Sequence, residues 1–290
     1  MRKVTFSHRI EYAVLRAVIS ILRLLPLKVS SSMMGWAWKV VAPKLSRQKR
    51  AMAHLRASFP EKSEQELYAI TLGMWENLGR TFAEGLLADE FLGHASSFFE
   101  QPEGYDDLVA RINEVGGIIV SLHSGNWELG GVVSMNYGFD ASVVIQRLKN
   151  PLVHDYMIGK RAATFRGGVF SKGDRAGLRI MSSLKGGTVA AIMADLRDIR
   201  GVKVPFFGRP APTNSFPARL ARQSGAPLVA IRILRKGGVH FEILVEEIKV
   251  PHTDDAEADV YEGTAAIQAV FERWIRDVPE QWMWAHKRWG

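Results

Sequence analysis

The stretch Gly117-Ile118-Ile119-Val120-Ser121-Leu122-His123-Ser124-Gly125-Asn126-Trp127-Glu128 decides the reading of this chain. Its first six residues form a short apolar run of strand type. Polar residues follow at once, and Leu129-Gly130-Gly131-Val132-Val133 then reads as a helix that Asn126 can cap. Similar strands are read at 142–146, 188–193, 228–234 and 239–248, with helices between them. Asp174 can cap a helix that stops at Gly186-Gly187, and Asn214 or Ser215 one that stops at Gly225. Strands alternating with helices predict an α/β fold with a largely parallel sheet covered on both faces. Lys236-Gly237-Gly238 joins the last two strands as a hairpin, so the sheet is expected to be mixed.

Upstream the texture is helical. A basic helix is read from Lys44 to Arg56. Ser63 and Glu66 match a capping box that opens a long helix to about Leu87, with Leu67, Ile70, Met74 and Leu78 on one stripe. Residues 9–28 place Arg9, Tyr12, Arg16, Ser20 and Arg23 on one helical face, opposite Ile10, Val14, Val18, Ile21 and Leu24. Charges interrupt this segment too often for a spanning helix of about twenty apolar residues, and for a signal peptide. It reads as an amphipathic helix lying in a membrane interface, with Trp36 and Trp38 nearby at headgroup level. The expected organisation is a basic membrane-associating segment over 1–60 and a catalytic domain over 61–290.

Charge supports that division. The chain has 290 residues and a net charge of +8, yet residues 1–60 alone carry +11 and the remainder −3. Such a block suits an anionic membrane surface; no nucleic-acid motif accompanies it, and no nucleic-acid partner is expected. Apolar residues at 47% and charged residues at 23% are ordinary for a globular protein and argue against disorder. The absence of cysteine excludes disulfides, thiolate metal sites and a cysteine nucleophile.

In an open α/β sheet, ligands bind beyond the carboxyl ends of strands. His123 stands at such an end, and Gly125 allows a turn tight enough for Glu128 to fold back towards the imidazole. A carboxylate on one ring nitrogen fixes the tautomer and leaves the other nitrogen as a general base for an alcohol. A histidine that merely caps a helix is the competing reading. Zinc is disfavoured because no further ligand lies at the usual spacing, and Ser124 lacks the Gly-x-Ser-x-Gly elbow of a serine nucleophile. No metal and no cofactor are expected.

Leu122-His123-Ser124-Gly125-Asn126-Trp127-Glu128 resembles the His-x-x-x-x-Asp/Glu signature of the glycerolipid acyltransferase superfamily. In particular it looks like the lipid A late acyltransferases and the related phosphatidylinositol mannoside acyltransferases. Arg56–Glu61, the block from Ala194-Asp195 through Val204–Gly208 to Ala211-Pro212-Thr213, and Pro279–Trp289 resemble further family segments, in order, over most of the chain. Leu196 departs from the Gln or His that many members carry there.

The resemblance implies direct acyl transfer from an acyl carrier protein or acyl-CoA thioester to a hydroxyl of a glycolipid, preferably a lipid A precursor. It implies His123 and Glu128 as catalytic residues, Asp195 as a contact to the acceptor or the base, and a place on the cytoplasmic face of a bacterial inner membrane. Eight Lys/Arg between 147 and 179 form a basic stretch suited to a phosphorylated lipid or an acidic carrier protein, with Arg166 and Arg175 as the expected contacts. Glu280, His286 and Arg288 are expected to fold back near the site or brace it. A non-catalytic lipid-binding protein and a thioester hydrolase are the rival readings.

Overall fold

The computed structural model describes residues 3–101, 105–173 and 175–289. The chain opens with four helices, α1 (Phe6–Arg23), α2 (Leu27–Val41), α3 (Arg47–Ser58) and α4 (Glu64–Leu86). The amphipathic helix expected over 9–28 starts earlier and stops at Arg23, because Thr5 and His8 form a capping box at its head and Pro26 introduces α2 at its tail. Among the described residues no helix is long and apolar enough to cross a membrane. The Ser63–Glu66 capping box forms as read: the Ser63 amide donates to Glu66 Oε2 at 2.8 Å, and the Glu66 amide to Ser63 Oγ at 3.3 Å. Leu67, Met74 and Leu78 then bury the inner stripe of α4.

The α/β body contains β1 (Phe99–Glu100), α5 (Tyr105–Val115), β2 (Gly117–Ser121), α6 (Gly130–Asn136), β3 (Ala141–Ile145), α7 (Pro151–Ala162), β4 (Gly168–Ser171), α8 (Ala176–Lys185) and β5 (Val189–Met193). It continues through β6 (Arg197–Phe206), β7 (Arg209–Thr213), α9 (Phe216–Ser224), β8 (Leu228–Gly237), β9 (His240–Ile248) and α10 (Ala256–Asp277). Seven strands form one sheet in the order β1-β9-β8-β2-β5-β3-β4, parallel except for the β8–β9 hairpin. The expected mixed, mostly parallel sheet is therefore the observed one. The β6–β7 hairpin stands apart as a second, two-stranded sheet.

Alternate residues of β2 face two separate cores. Ile118, Val120 and Leu122 join Phe206, Ile267, Phe271, Trp282 and Trp284 on one side, while Ile119 joins Val133, Phe139, Val229 and Phe241 on the other. This two-sided burial explains why the strand is a continuous apolar run. Gly225, in the left-handed region at φ 70°, ends α9 as anticipated, and Asn214 Oδ1 accepts the Phe216 amide at 3.0 Å near its start. The cap expected of Asp174 lies outside the described residues.

Candidate active site

The site is set by strand register. β2 and β5 are parallel neighbours with Ser121 opposite Met193. Two residues further along each strand end, His123 and Asp195 therefore arrive side by side. Asp195 Oδ1 lies 2.8 Å from His123 Nδ1, and Oδ2 accepts the His123 backbone amide at 2.8 Å. The buried Trp282 donates its indole N–H to the same Oδ2 at 2.9 Å. The carboxylate that bonds the imidazole is thus Asp195, 72 residues away, and the fold-back of Glu128 anticipated from the sequence is not what the chain adopts.

Burial disfavours both charges, yet the pair overrides it. Desolvation pulls the His123 pKa down, but the charge and hydrogen bond of Asp195, with the more distant charge of Glu128, leave it raised above 6.5. Burial likewise works to raise Asp195, and the imidazolium, the His123 amide and Trp282 outweigh it, holding the carboxyl below 3.8.

The loop after His123 is fixed on all sides. Gly125 sits at φ +59°, and a Cβ there would lie 1.9 Å from the Ile233 carbonyl oxygen, so no side chain fits. Its amide donates to Gln281 O, and the Asn126 amide to Ile233 O. Asn126, expected to cap the next helix, is instead fully buried and donates its side-chain amide to Glu84 Oε2 at 2.5 Å. Glu84, also fully buried, receives a two-pronged ion pair from Arg235 at 2.7 and 2.8 Å. Arg235 Nε reaches Asn77, and Asn77 and Thr81 each donate to the Gly125 carbonyl at 2.9 Å. The sequence reading missed this network. The visible signal was a run of polar residues (Asn77, Thr81, Glu84) on the apolar side of a core helix.

The C-terminal block closes the other side. Met283 N donates to His123 O at 3.0 Å, and Ser124 bridges Trp282. Arg288 is buried and donates to Pro212 O, Thr213 and Gln268; burial lowers its pKa to about 10. His286 lies close enough to His123 and Asp195 to feel their charges, and burial is the main influence lowering its pKa.

Two cavities meet at this point. The first, about 270 Å³, has His123 and Glu128 in its wall with Ile119, Val133, Phe139, Val143, Phe165 and Ile231. The second, about 480 Å³, shares Trp127, Glu128 and Leu148 with the first. Glu128 stands between them, paired with Arg161 at 2.5 Å, and Gly85 of α4 makes room for it, since a Cβ there would lie 2.9 Å from Glu128 Cβ. Trp127 packs edge-on against the His123 ring, with centroids 5.1 Å apart. Arg166 pairs with Asp140 on the surface at 2.8 Å, and Arg175 is exposed at the head of α8. Neither lines either cavity. The basic residues that do are Arg161 in the first and Arg47, Arg50 and Lys287 in the second.

The model of the bacterial lipid A biosynthesis acyltransferases matches residues 2–290. The chain belongs to that acyltransferase family. Among relatives, it is 30% identical over 192 residues to the phosphatidylinositol mannoside acyltransferase of Mycobacterium tuberculosis, covering 64% of this chain and 58% of that protein. The Mycolicibacterium smegmatis counterpart is 28% identical over 191 residues, 63% of this chain and 60% of the relative. The lipid A biosynthesis lauroyltransferase of Escherichia coli is 29% identical over 252 residues, 83% of this chain and 78% of the relative. The match thus spans less than two thirds of the mycobacterial proteins' length. His123, Asp195 and the C-terminal block all lie within the family match.

Proposed function

We propose that this family member transfers a fatty acyl chain from an acyl carrier protein or CoA thioester to a hydroxyl of a membrane glycolipid. The observation that carries the reading is the His123–Asp195 pair in the wall of an apolar cavity. With Nδ1 committed to Asp195, Nε2 is the nitrogen that takes the acceptor's proton as its oxygen attacks the thioester carbonyl. The C–O bond forms, the C–S bond breaks, and the proton held on His123 is passed to the leaving thiolate. Asp195 keeps the tautomer and stabilises the imidazolium between those steps. The first cavity takes the acyl chain.

Donors for the developing oxyanion follow by elimination near the loop. The amides of Ser124, Gly125 and Asn126 are already bonded to Leu122, Gln281 and Ile233. The remaining candidates are Arg161, held in place by Glu128, and the amides that open the turn at Trp127 and Glu128. Glu128 in this scheme acts through Arg161 and through its charge on the imidazole.

The acceptor we favour is a lipid A precursor at the cytoplasmic face of a bacterial inner membrane, in keeping with the family and the E. coli relative. The mycobacterial relatives support a second reading, in which another glycolipid is acylated. The membrane contact is assigned to α1 and α2. Phe6, Ile10, Val14, Ile21 and Leu24 form an exposed stripe along α1, and Trp36 is 66% exposed on α2. Arg9, Arg16 and Lys28 accompany them on the surface. Mass spectrometry of lipids from cells lacking this chain, complemented with wild type or His123→Ala, tests the function. A glycolipid heavier by one acyl chain with wild type alone supports it. Identical lipids in all strains, with the protein expressed, overturn it.

A further inference from the structure

The second cavity is built unlike the first. Its walls are Trp38, Trp75, Leu78, Phe82, Leu86 and Met157. Arg47, Arg50 and Lys287 stand at it, all exposed, brought together from the head of α3 and the C-terminal block. The first turn of α3 contains no acidic residue, and none of the three cations has a carboxylate partner among the described residues. Arg50 Nη1 reaches only the Ala285 carbonyl, at 3.3 Å. His286 lines the same space and keeps a buried Nδ1 without a hydrogen-bond partner. Several exposed arginines elsewhere pair with carboxylates, Arg56 with Glu64, Arg166 with Asp140 and Arg219 with Glu257, whereas here three cations from two parts of the chain share one cavity mouth. Three unpaired cations beside an apolar cavity are electrostatically incomplete without an anion.

The position of the cavity says which anion. Leu15 of α1 and Trp38 of α2 form part of its wall, and these helices carry exposed apolar stripes on their outer faces. A lipid leaving a bilayer against α1 and α2 would enter here, and Glu128 and Trp127 connect this space to the cavity containing His123. We propose that the second cavity is where the lipid acceptor docks, with Arg47, Arg50 and Lys287 taking a phosphate of that lipid while the aromatic wall takes a hydrocarbon chain. The assignment rests on the acyl-transfer reading for the word acceptor, but lipid binding here is measurable without catalysis. A phosphate could also come from a phosphopantetheine donor, and the experiment separates the two.

The probes are dioleoyl phosphatidic acid and dioleoylglycerol with dibrominated chains, in nonionic detergent, read by quenching of tryptophan fluorescence. All proteins carry Trp36→Phe so that adsorption at the outer face of α2 is not reported. Trp38, Trp75 and Trp127 line the cavity and supply the signal. The full-length protein should saturate at a phosphatidic acid concentration about tenfold or more below that of the diacylglycerol, the discrimination expected of a charge-assisted phosphate contact. Arg47→Gln/Arg50→Gln/Lys287→Gln should abolish that preference, whereas Arg9→Gln/Arg16→Gln should keep it. Equal affinity for the two lipids, or a preference that survives the triple variant, overturns the site. Displacement of bound lipid by phosphopantetheine but not by pantetheine assigns the cations to the donor and overturns the acceptor assignment. If binding behaves as expected while the lipid profile of cells is indifferent to His123→Ala, the acyl-transfer reading fails and the lipid site stands.

Discussion

Asp195 holds His123 at two points, taking the backbone amide on Oδ2 and the ring Nδ1 on Oδ1, both at 2.8 Å. A carboxylate that grips main chain and side chain together fixes the ring's position as well as its tautomer. Asp195→Asn keeps the shape but removes the charge. The His123 pKa lies above 6.5 because Asp195 outweighs burial. The neutral, base-competent form therefore grows as pH rises through that raised value, and kcat/KM should climb on a limb above pH 6.5. In Asp195→Asn burial is left with only the charge of Glu128 opposing it, so the limb should move to lower pH while the plateau falls about 10²–10⁴-fold. A pH–rate profile with an unmoved limb would remove His123 as the titrating base.

The same pair has a stability signature of its own. The lowered Asp195 pKa contributes stability that is present above 3.8 and lost as pH falls through the folded value. The raised His123 pKa contributes stability that is present below 6.5 and lost as pH rises through its folded value. Both are in full effect only between those limits. Chemical denaturation across pH should show the wild type gaining most over His123→Ala inside that window.

Much of this was legible beforehand, and the missing part has a definite physical cause. The strand ending at Leu122, the capping box at Ser63, the hairpin at 236–238 and His123 at a carboxyl end are all local patterns. The partner of His123 is not local, and only the family resemblance pointed to Asp195, as a contact to the acceptor or the base. The pairing depends on β5 lying beside β2 with Ser121 opposite Met193, a register no spacing encodes. Proximity along the chain favoured Glu128 as that partner; Arg161, 33 residues later, draws it away. The cations at the second cavity escaped for the same reason, since Arg50 and Lys287 are distant in sequence while the dense run from 147 to 179 drew attention to Arg166 and Arg175. The β6–β7 hairpin was hidden by its prolines and charges, which belong to a small separate sheet and not to the main one.

Gly125→Ala tests whether the loop tolerates any side chain. The left-handed backbone alone costs about 1–2 kcal/mol for a non-glycine residue, and the Ile233 carbonyl oxygen would stand 1.9 Å from the new Cβ. Unfolding in urea should show a loss of about 2 kcal/mol or more, with activity falling further than stability because His123 is carried on the same loop. A neutral substitution would mean that the loop is not held as described.

Glu84 and Arg235 should behave as a unit. Glu84→Gln leaves the buried guanidinium without its counter-charge, a change that typically costs about 3–5 kcal/mol. Replacing both by methionine removes the charge together with its partner and should be milder than the single change. A double-mutant cycle by denaturation measures the coupling, and additive losses would show that the two do not share one network.

The first cavity makes a prediction about donor length. Ala191 lies in its wall beside Val143 and Met193. Ala191→Leu fills part of the space an acyl chain would occupy while adding only apolar atoms, so competition between thioesters of different length should shift towards the shorter chain. The ratio of kcat/KM values for two donors reads this directly, and it is insensitive to a general loss of activity. An unchanged ratio would place the acyl chain outside this cavity.

Membrane contact through α1 rests on side chains that can be changed without disturbing the core. Ile10 and Ile21 are 50% and 56% exposed on the stripe that also carries Phe6, Val14 and Leu24. Neither side chain supports the core, so Ile10→Glu/Ile21→Glu should leave folding intact. The double change removes two apolar anchors and places two negative charges where anionic headgroups would lie. Each charge opposes the surface potential by about 1 kcal/mol, and the lost burial of each isoleucine costs about 1.5–3 kcal/mol more. Sedimentation with phosphatidylglycerol vesicles should therefore show binding reduced by at least about 100-fold. Because basic residues share the work, wild-type binding should also weaken as salt rises. Equal sedimentation of variant and wild type would move the contact to another face.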